Sequence, residues 1–401
     1  MGIGLGEALG LVFDSIVPLA VEMVALTDAV DRVVARDVAA NVDSPSVDAS
    51  LKDGYAVRSA EVAGATADHP VRLTLKGYAS AGDGQRIRLM PGHTVRVLTG
   101  ACIPDGADAV VAEEFTKQDG DRIVFNHFAE PGRNVMVRGS DVALGAAVVR
   151  AGLALTPGCI GLLAAAGHDR VPVTRRPTVA IMATGDEVVA PGVPLPEGKL
   201  YASNMAALDA WCRRYGWPTR LQIVPDAPEA LYDALQSLVV GADAVVTSGG
   251  AWTGDRDLVV KILERLGWHQ VFHRIRIGPG KAVGFGTLAG KPIFILPGGP
   301  PSNMQGFLQI ALPGILALGG RSRAGLPTAS VRLGQTVTGR SRDWTQLIFG
   351  TLEPQSDVPL FHPLRNASRL QDMAQAHAIV AIAEGLAQIA AGTLVSAQLL
   401  R

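Results

Sequence analysis

The hydrophobic pattern changes period several times along the chain. Residues 6–27 place apolar side chains at helical spacing, with Leu9, Val12, Phe13, Ile16 and Leu19 on one face and Pro18 as a kink or an end. This predicts a helix over 6–27 and a second, short helix over 28–38. Residues 41–57, with Pro45, Ser50 and Asp53-Gly54-Tyr55, break the pattern and read as irregular. From 57 to 150, short β-rich runs (VRLTLKGY, TVRVLTG, AVVAEEFTK, DRIVFN) alternate with Gly, Asp and Pro turns. That spacing predicts a small, barrel-like β module. Residues 154–172 read as helix, capped by Thr156 with Pro157 at the first position, and 171–176 leads out as an extended linker.

From 177 to about 319 the period alternates. TVAIMATG, a helix over 203–215, RLQIVPD, a helix over 228–239, ADAVVTSGG, a helix over 257–267, HRIRIGPGKAVGFGTL, PIFILPGG and a helix over 302–318 follow one another. Strands alternating with helices predict a mostly parallel sheet with helices on both faces. Residues 320–324 form a Gly/Ser/Arg linker. The remainder returns to short β runs and predicts a small C-terminal barrel.

Composition narrows the class. A chain of 401 residues holds two to four domains, and 48% apolar content supplies their cores. A net charge of −1 provides no electrostatic footprint for nucleic acid or an acidic membrane. Cys102, Cys159 and Cys212 lie far apart with no CxxC, so they read as buried thiols rather than disulfides or zinc ligands. The eight histidines form no HExxH pair. The N-terminal stretch carries Glu7 and Asp14 and no basic region, unlike a secretory signal. The most apolar segment, 306–320, holds Gln309 and Pro313, is too short for a bilayer and reads as a buried helix. A cytoplasmic protein is expected.

The candidate chemistry lies at three strand ends. ADAVVTSGG ends in Thr247, Ser248, Gly249 and Gly250, followed closely by Asp255 and Asp257. TVAIMATGDEVV ends in Thr184, Gly185, Asp186 and Glu187. PIFILPGGPPSN ends in Pro297, Gly298, Gly299, Pro300, Pro301, Ser302 and Asn303. Parallel strands bring such loops to one rim of the sheet, where open α/β folds bind ligands. Glycine N–H groups and a helix starting at Ser302 would cradle phosphate or pyrophosphate. Neither GxxxxGK[ST] nor a strand-linked GxGxxG occurs, which excludes a P-loop and disfavours a dinucleotide fold. Glu187, Asp226, Asp255 and Asp257 suit a hard divalent cation such as Mg²⁺ bridging carboxylates and phosphates. The blander readings are a tight turn with solvated aspartates, and Asp226 as a cap for the helix near Pro228. Lys281, in IGPGKAVGFG, either meets an oxyanion or stands as a surface lysine.

Together these pieces resemble the molybdopterin molybdenumtransferase family (bacterial MoeA, the gephyrin E-domain). The resemblance covers essentially the whole chain. It rests on Asp53-Gly54-Tyr55-Ala56-Val57, Val97-Leu98-Thr99-Gly100-Ala101, Ala109-Val110-Val111 and Arg138-Gly139-Ser140-Asp141. It continues through Thr184-Gly185-Asp186-Glu187, Ser248-Gly249-Gly250 and Leu296-Pro297-Gly298, in order and at the family's spacing. It implies four domains: an elongated helical linker domain (1–45 and 138–174), a barrel-like module (46–137), a MogA-like α/β domain (175–320) and a C-terminal β barrel (321–401). It implies a homodimer in which the second module of one subunit closes over the α/β domain of the other. The implied reaction cleaves adenylylated molybdopterin with a divalent cation, inserts molybdenum from molybdate and releases AMP. Carried over by position, Asp53, Thr99, Asp141, Glu187, Asp226 and Asp257 are the implied catalytic residues. Glu187 and Asp257 are the implied metal ligands. The three loops with Lys281 hold substrate. A molybdopterin adenylyltransferase and molybdoenzymes are implied partners.

The chain departs from the family in its cationic positions. The usual K-P-G-K-P reads Gly278-Pro279-Gly280-Lys281-Ala282, and P-G-N-P-V-S reads Pro297-Gly298-Gly299-Pro300-Pro301-Ser302. An arginine expected after an acidic-aromatic pair is replaced by Gln346 after Asp343-Trp344, and Arg369 stands in the stretch that follows. Each lost charge-assisted hydrogen bond weakens an oxyanion pocket by about 1.5–3 kcal/mol. Two readings therefore stand: the transferase, and a non-catalytic paralogue that holds molybdopterin or finished cofactor for a partner enzyme.

Overall fold

A computed structural model describes residues 2–84, 86–249, 258–365 and 369–400. The chain has a mixed α/β fold. The α/β domain contains β1 (Val179–Thr184), β2 (Thr219–Val224), β3 (Ala244–Ser248), β4 (His269–His273), β5 (Gly284–Leu288) and β6 (Lys291–Leu296). Their order in the sheet is β2-β1-β3-β6-β5-β4. The first four are parallel, and β5 and β4 continue the edge antiparallel. Both faces of β1, β3 and β6 are apolar, as a sheet covered on both sides requires. Ile181, Ala183, Val246, Phe294 and Leu296 face one core, and Ala180, Met182, Val245, Ile293 and Ile295 face the other.

The first core is roofed by α1 (Ser203–Arg214) and by one long helical stretch. That stretch runs as α4 (Pro300–Gly306), a π turn over Phe307–Ala311, and α5 (Leu312–Leu318). α2 (Pro228–Gly241) and α3 (Leu258–Arg265) cover the second core. Cys212 lies wholly inside the first core, and burial pushes its thiol up to about 12, which suits packing rather than nucleophilic chemistry.

The N-terminal region corrects the reading of its pattern. A helix forms only over Leu5–Asp14, burying Ala8 and Val12 against α5 and its approach. Val21–Ala25 is instead a strand, antiparallel to Arg170–Thr174, which also pairs with Val33–Val34. The helix expected over 28–38 is a 3₁₀ turn at Leu26–Asp28 followed by strands Val33–Val34 and Val38–Ala39. The helix expected over 154–172 spans Pro157–Ala165. Thr156 caps it by accepting from Cys159 N (3.3 Å), and Gly167, at φ +85°, turns the chain out toward the next strand. The strand partners lie about 150 residues apart in sequence, so tertiary pairing overrides the local helical spacing.

The β module is a six-stranded sheet ordered 109–112, 54–57, 93–97, 71–79, 122–125, 116–119, with an apolar cluster on each face. Gly54–Val57, within the stretch read as irregular, is one of its inner strands. A Cβ on Gly54 would stand 2.2 Å from the Val111 carbonyl oxygen, so only glycine allows that approach.

The C-terminal strands Thr328–Leu333, Thr345–Glu353, Leu360–Pro363, Ala378–Ile382 and Leu394–Leu399 close on themselves as a five-stranded barrel. A two-residue strand of the α/β domain, Ile277–Gly278, adds to its side in parallel, with Gly278 opposite Gln346. No described helix is long and apolar enough to cross a membrane.

Candidate active site

The loops after β1, β3 and β6 meet at the carboxyl rim of the sheet. Thr184 ends β1 almost fully buried and donates its hydroxyl to Asp226 Oδ1 (2.6 Å). Asp226 N donates to Asp186 Oδ1 (3.1 Å), which ties the loop after β2 to the loop after β1. Asp226 does not cap α2: Ala227 is the N-cap residue there, with no side-chain bond. Gly185 is at φ +140°, and the Glu187 carboxylate folds back over it. A Cβ there would lie 2.6 Å from Glu187 Oε2. Asp186, Glu187 and Asp226 all face solvent.

β3 ends one strand over. Gly249 donates N–H to the Leu296 carbonyl (3.0 Å) at φ +105°, and a Cβ on it would come 2.7 Å from the Thr184 carbonyl oxygen. A Cβ on Gly298, after β6, would stand 4.0 Å from Gly249 Cα, an ordinary contact. The end of β3 is therefore tied to the end of β6 and pressed against the end of β1, and glycine at 249 is what lets those backbones close up.

Two amides organise this floor, and the loop pattern did not single them out. Asn303 is 1% exposed and donates to Ser248 Oγ (3.0 Å) and to the Pro297 carbonyl (2.9 Å). Asn204, from α1, donates to the Gly298 carbonyl (2.7 Å) and to Ser248 Oγ (3.3 Å). For Asn303 the available signal was its place at the end of the third loop, two positions beyond the glycine-proline run and in the first turn of a helix.

The anion cradle differs from expectation in one respect. The helix begins at Pro300, not Ser302, so Pro300 and Pro301 remove two of its first N–H groups. Donors on this side are the N–H groups of Gly298, Gly299 and Ser302. Gly250 and Asp257 lie outside the described residues. Among the described residues no three His, Cys, Asp or Glu side chains converge as a protein-only metal site.

Lys281 places its ammonium 5.7 Å from the Trp344 ring centroid, at the seam between the α/β domain and the barrel. Beside it, a Cβ on Gly280 would stand 3.3 Å from the Ser302 carbonyl oxygen, so the seam adjoins the loop after β6. Gly278 and Gln346, two of the positions that depart from the family, face one another across this seam. A Cβ on Gly278 would rest 3.5 Å from the Gln346 amide, an ordinary contact. Gln346 is buried; its Oε1 accepts from Arg340 N (3.2 Å) and its Nε2 donates to the Ser341 carbonyl (3.3 Å).

The remaining predicted residues lie elsewhere. Asp53 accepts from Thr99 N (2.7 Å) and Thr99 Oγ1 (2.8 Å) on the exposed edge of the β module. These bonds, the backbone one first, and the nearby Arg96 hold the Asp53 carboxyl below its usual range. Asp141 is exposed, with its N–H on the Ser44 carbonyl (3.0 Å). Among the described residues no hydrogen bond or apolar cluster joins residues 49–137 to the α/β domain of the same chain.

Residues 3–167 match the family model of the MoeA N-terminal region (domain I and II), and residues 180–317 match a probable molybdopterin binding domain. Over 376 residues the chain is 33% identical to a molybdopterin molybdenumtransferase 2 from Mycobacterium tuberculosis, covering 92% of this chain and 93% of the relative. It is also 33% identical over 379 residues to a molybdopterin molybdenumtransferase from Nostoc sp., covering 92% and 87%. A crystal structure of a molybdopterin biosynthesis MoeA protein from Pyrococcus horikoshii superposes with a TM-score of 0.85 at 26% identity, over the full length of both chains.

Proposed function

The chain belongs to the molybdopterin molybdenumtransferase (MoeA) family, and from that premise we propose that it inserts molybdenum from molybdate into adenylylated molybdopterin, releasing AMP. The observation that carries this reading is the three-loop rim: Gly249 bonded to Leu296 and pressed against Thr184, with Asn204 and Asn303 joining Ser248 to the loop after β6. Backbone N–H groups at such a rim suit phosphate and pterin groups.

Mg²⁺ fits the donor set. Glu187, Asp186 and Asp226 offer oxygen ligands only, at the exposed mouth of the rim. A hard cation that draws its other ligands from water and substrate phosphates needs no third protein carboxylate. Glu187 would hold it, with Asp257 as the second proposed ligand. Bound there, it supplies neutralisation of charge on the phosphate oxygens. Thr184 and Asp226 position the loop after β2. Asn303 and Asn204 keep the Ser248 hydroxyl proton free to point at substrate, since both amides donate to its oxygen. Lys281 at the seam attracts the molybdate dianion.

The Asp53–Thr99 pair and Asp141 act on substrate held by a second subunit. For Asp53 and Thr99 this reading is supported by the absence, among the described residues, of a hydrogen bond or shared apolar cluster between their module and the α/β domain of their own chain. It requires a homodimer in the cytoplasm, supplied by a molybdopterin adenylyltransferase and serving molybdoenzymes. The second reading, a cofactor-holding paralogue, draws on the neutral Gly278–Gln346 pair.

Single-turnover AMP release from adenylylated molybdopterin with Mg²⁺, with and without molybdate, tests the proposal. Molybdate-dependent AMP release is expected. Tight binding without AMP release in either condition would replace the transferase with the holding protein.

A further inference from the structure

At the opposite end of the sheet from the rim, three arginines surround a small cavity. Arg32 comes from the N-terminal domain, Arg176 from the strand-to-sheet connection and Arg321 from the linker to the barrel. Thr174 and Tyr215 complete the wall. Since β1 runs six residues from this end to Thr184, the two sites lie roughly 20 Å apart.

The cavity holds more donors than the protein satisfies. Arg32 is 8% exposed; its Nη2 is paired with Glu22 and bonds the Thr174 carbonyl (3.3 Å), while its buried Nε has no partner among the described residues. Arg176 Nε is buried and also without a partner among them. Arg321 lies 5.6 Å over the Tyr215 ring. Glu22 and Asp31 are the facing carboxylates, which leaves three cationic groups against two anionic ones. Burial, then repulsion from Arg32, weakens the hold of Arg176 on its proton. The α5 end facing the cavity adds no free acceptor. Its carbonyls at 315, 316, 317 and 318 are taken by the N–H groups of Gly319, Arg321, Gly320 and Leu19.

Size then selects the guest. The cavity is small, about 20 Å³, and matches a single small tetrahedral group rather than a nucleoside. We propose that Arg32, Arg176 and Arg321 bind a small tetrahedral oxyanion, of the phosphate, sulfate or molybdate class, at the junction of the N-terminal domain, the α/β domain and the barrel linker.

The test titrates inorganic phosphate, sulfate and molybdate separately into the full chain by calorimetry, with thermal melts to confirm folding. One saturable site that depends on these arginines is expected, separate in the molybdate titration from the one proposed beside Lys281. It weakens roughly tenfold or more in Arg176→Gln and in Arg321→Ala, each removing a charge-assisted donor. It persists in Ser248→Ala, which alters the rim. Tighter phosphate than molybdate marks a metabolite anion; the reverse marks a store of the substrate oxyanion. Absence of saturable binding, equal affinity in both arginine variants, or loss of binding in Ser248→Ala would overturn the proposal. Should Arg176→Gln fail to fold, Arg321→Ala, on the half-exposed linker, decides alone.

Discussion

The rim and the seam of the α/β domain are built on opposite plans. At the rim, atoms leave no slack: Gly249 has a backbone carbonyl where a Cβ would be, and Ser248 is held by two amides. At the seam, Gly278 has room for a side chain, and its neighbour Gln346 spends its amide on the Arg340–Ser341 backbone. Within the rim the same contrast recurs: Gly185 and Gly249, where a Cβ would strike a neighbour, keep the family residue, whereas Gly299, where a Cβ would meet nothing within 4 Å, departs from it as Gly278 does. A change at Gly249 must displace backbone, while a change at Gly278 only adds a side chain in ordinary contact.

Gly249→Ala tests the rim side most severely. At φ +105° and 2.7 Å from the Thr184 carbonyl, the methyl group is expected to cost on the order of 3 kcal/mol and abolish turnover. A thermal melt and an AMP-release assay check both; an unshifted melt would mean the loops do not touch as described. Asn303→Ala is expected to cost about 2 kcal/mol in denaturant unfolding, because it strips the Pro297 carbonyl of a buried partner and leaves a void in the helix turn.

On the seam side the comparison predicts a gain. Gly278→Lys with Gln346→Arg is expected to tighten molybdate about tenfold; the new Cβ at 278 meets only an ordinary contact, while the loss of the Gln346 acceptor for Arg340 N costs about 1–3 kcal/mol of stability. Calorimetry with molybdate reads it, and unchanged affinity would remove the seam from the oxyanion site. The smallest effect concerns Asp53. Its folded value is lowered, so its anchoring by Thr99 is complete above the unfolded value of about 3.9 and is lost as pH falls through the lower folded value. A carboxyl NMR titration should show that midpoint below the free value and moving part of the way back in Thr99→Val, which keeps the backbone donor.

The same contrast explains what was readable in the chain. The glycine-ended strands of the α/β domain carry their signal locally, so β1, β3, β6 and their loops were legible. Val21–Ala25 was not, because its strand partner is Arg170–Thr174 and the 3.6-residue spacing before it simply continues past Asp14. Asn303 was legible only as the end of a loop and Asn204 not at all, because an amide in a helix means little until the fold brings Ser248 between them. Lys281 was legible as a cation, but only the barrel, through Trp344, reveals which way it turns.

The two-residue strand Ile277–Gly278, laid against Thr345–Gln346, has a consequence for how such proteins diverge. It makes one edge of the molecule the joint property of the sheet and the barrel, whose Leu347, Phe349 and Ile379 also pack into the first core of the sheet. A substitution on the barrel side of that edge can therefore change what the α/β domain presents there without replacing any residue of its sheet. Positions 278 and 346 act as a pair, since the space beside one is bounded by the side chain of the other.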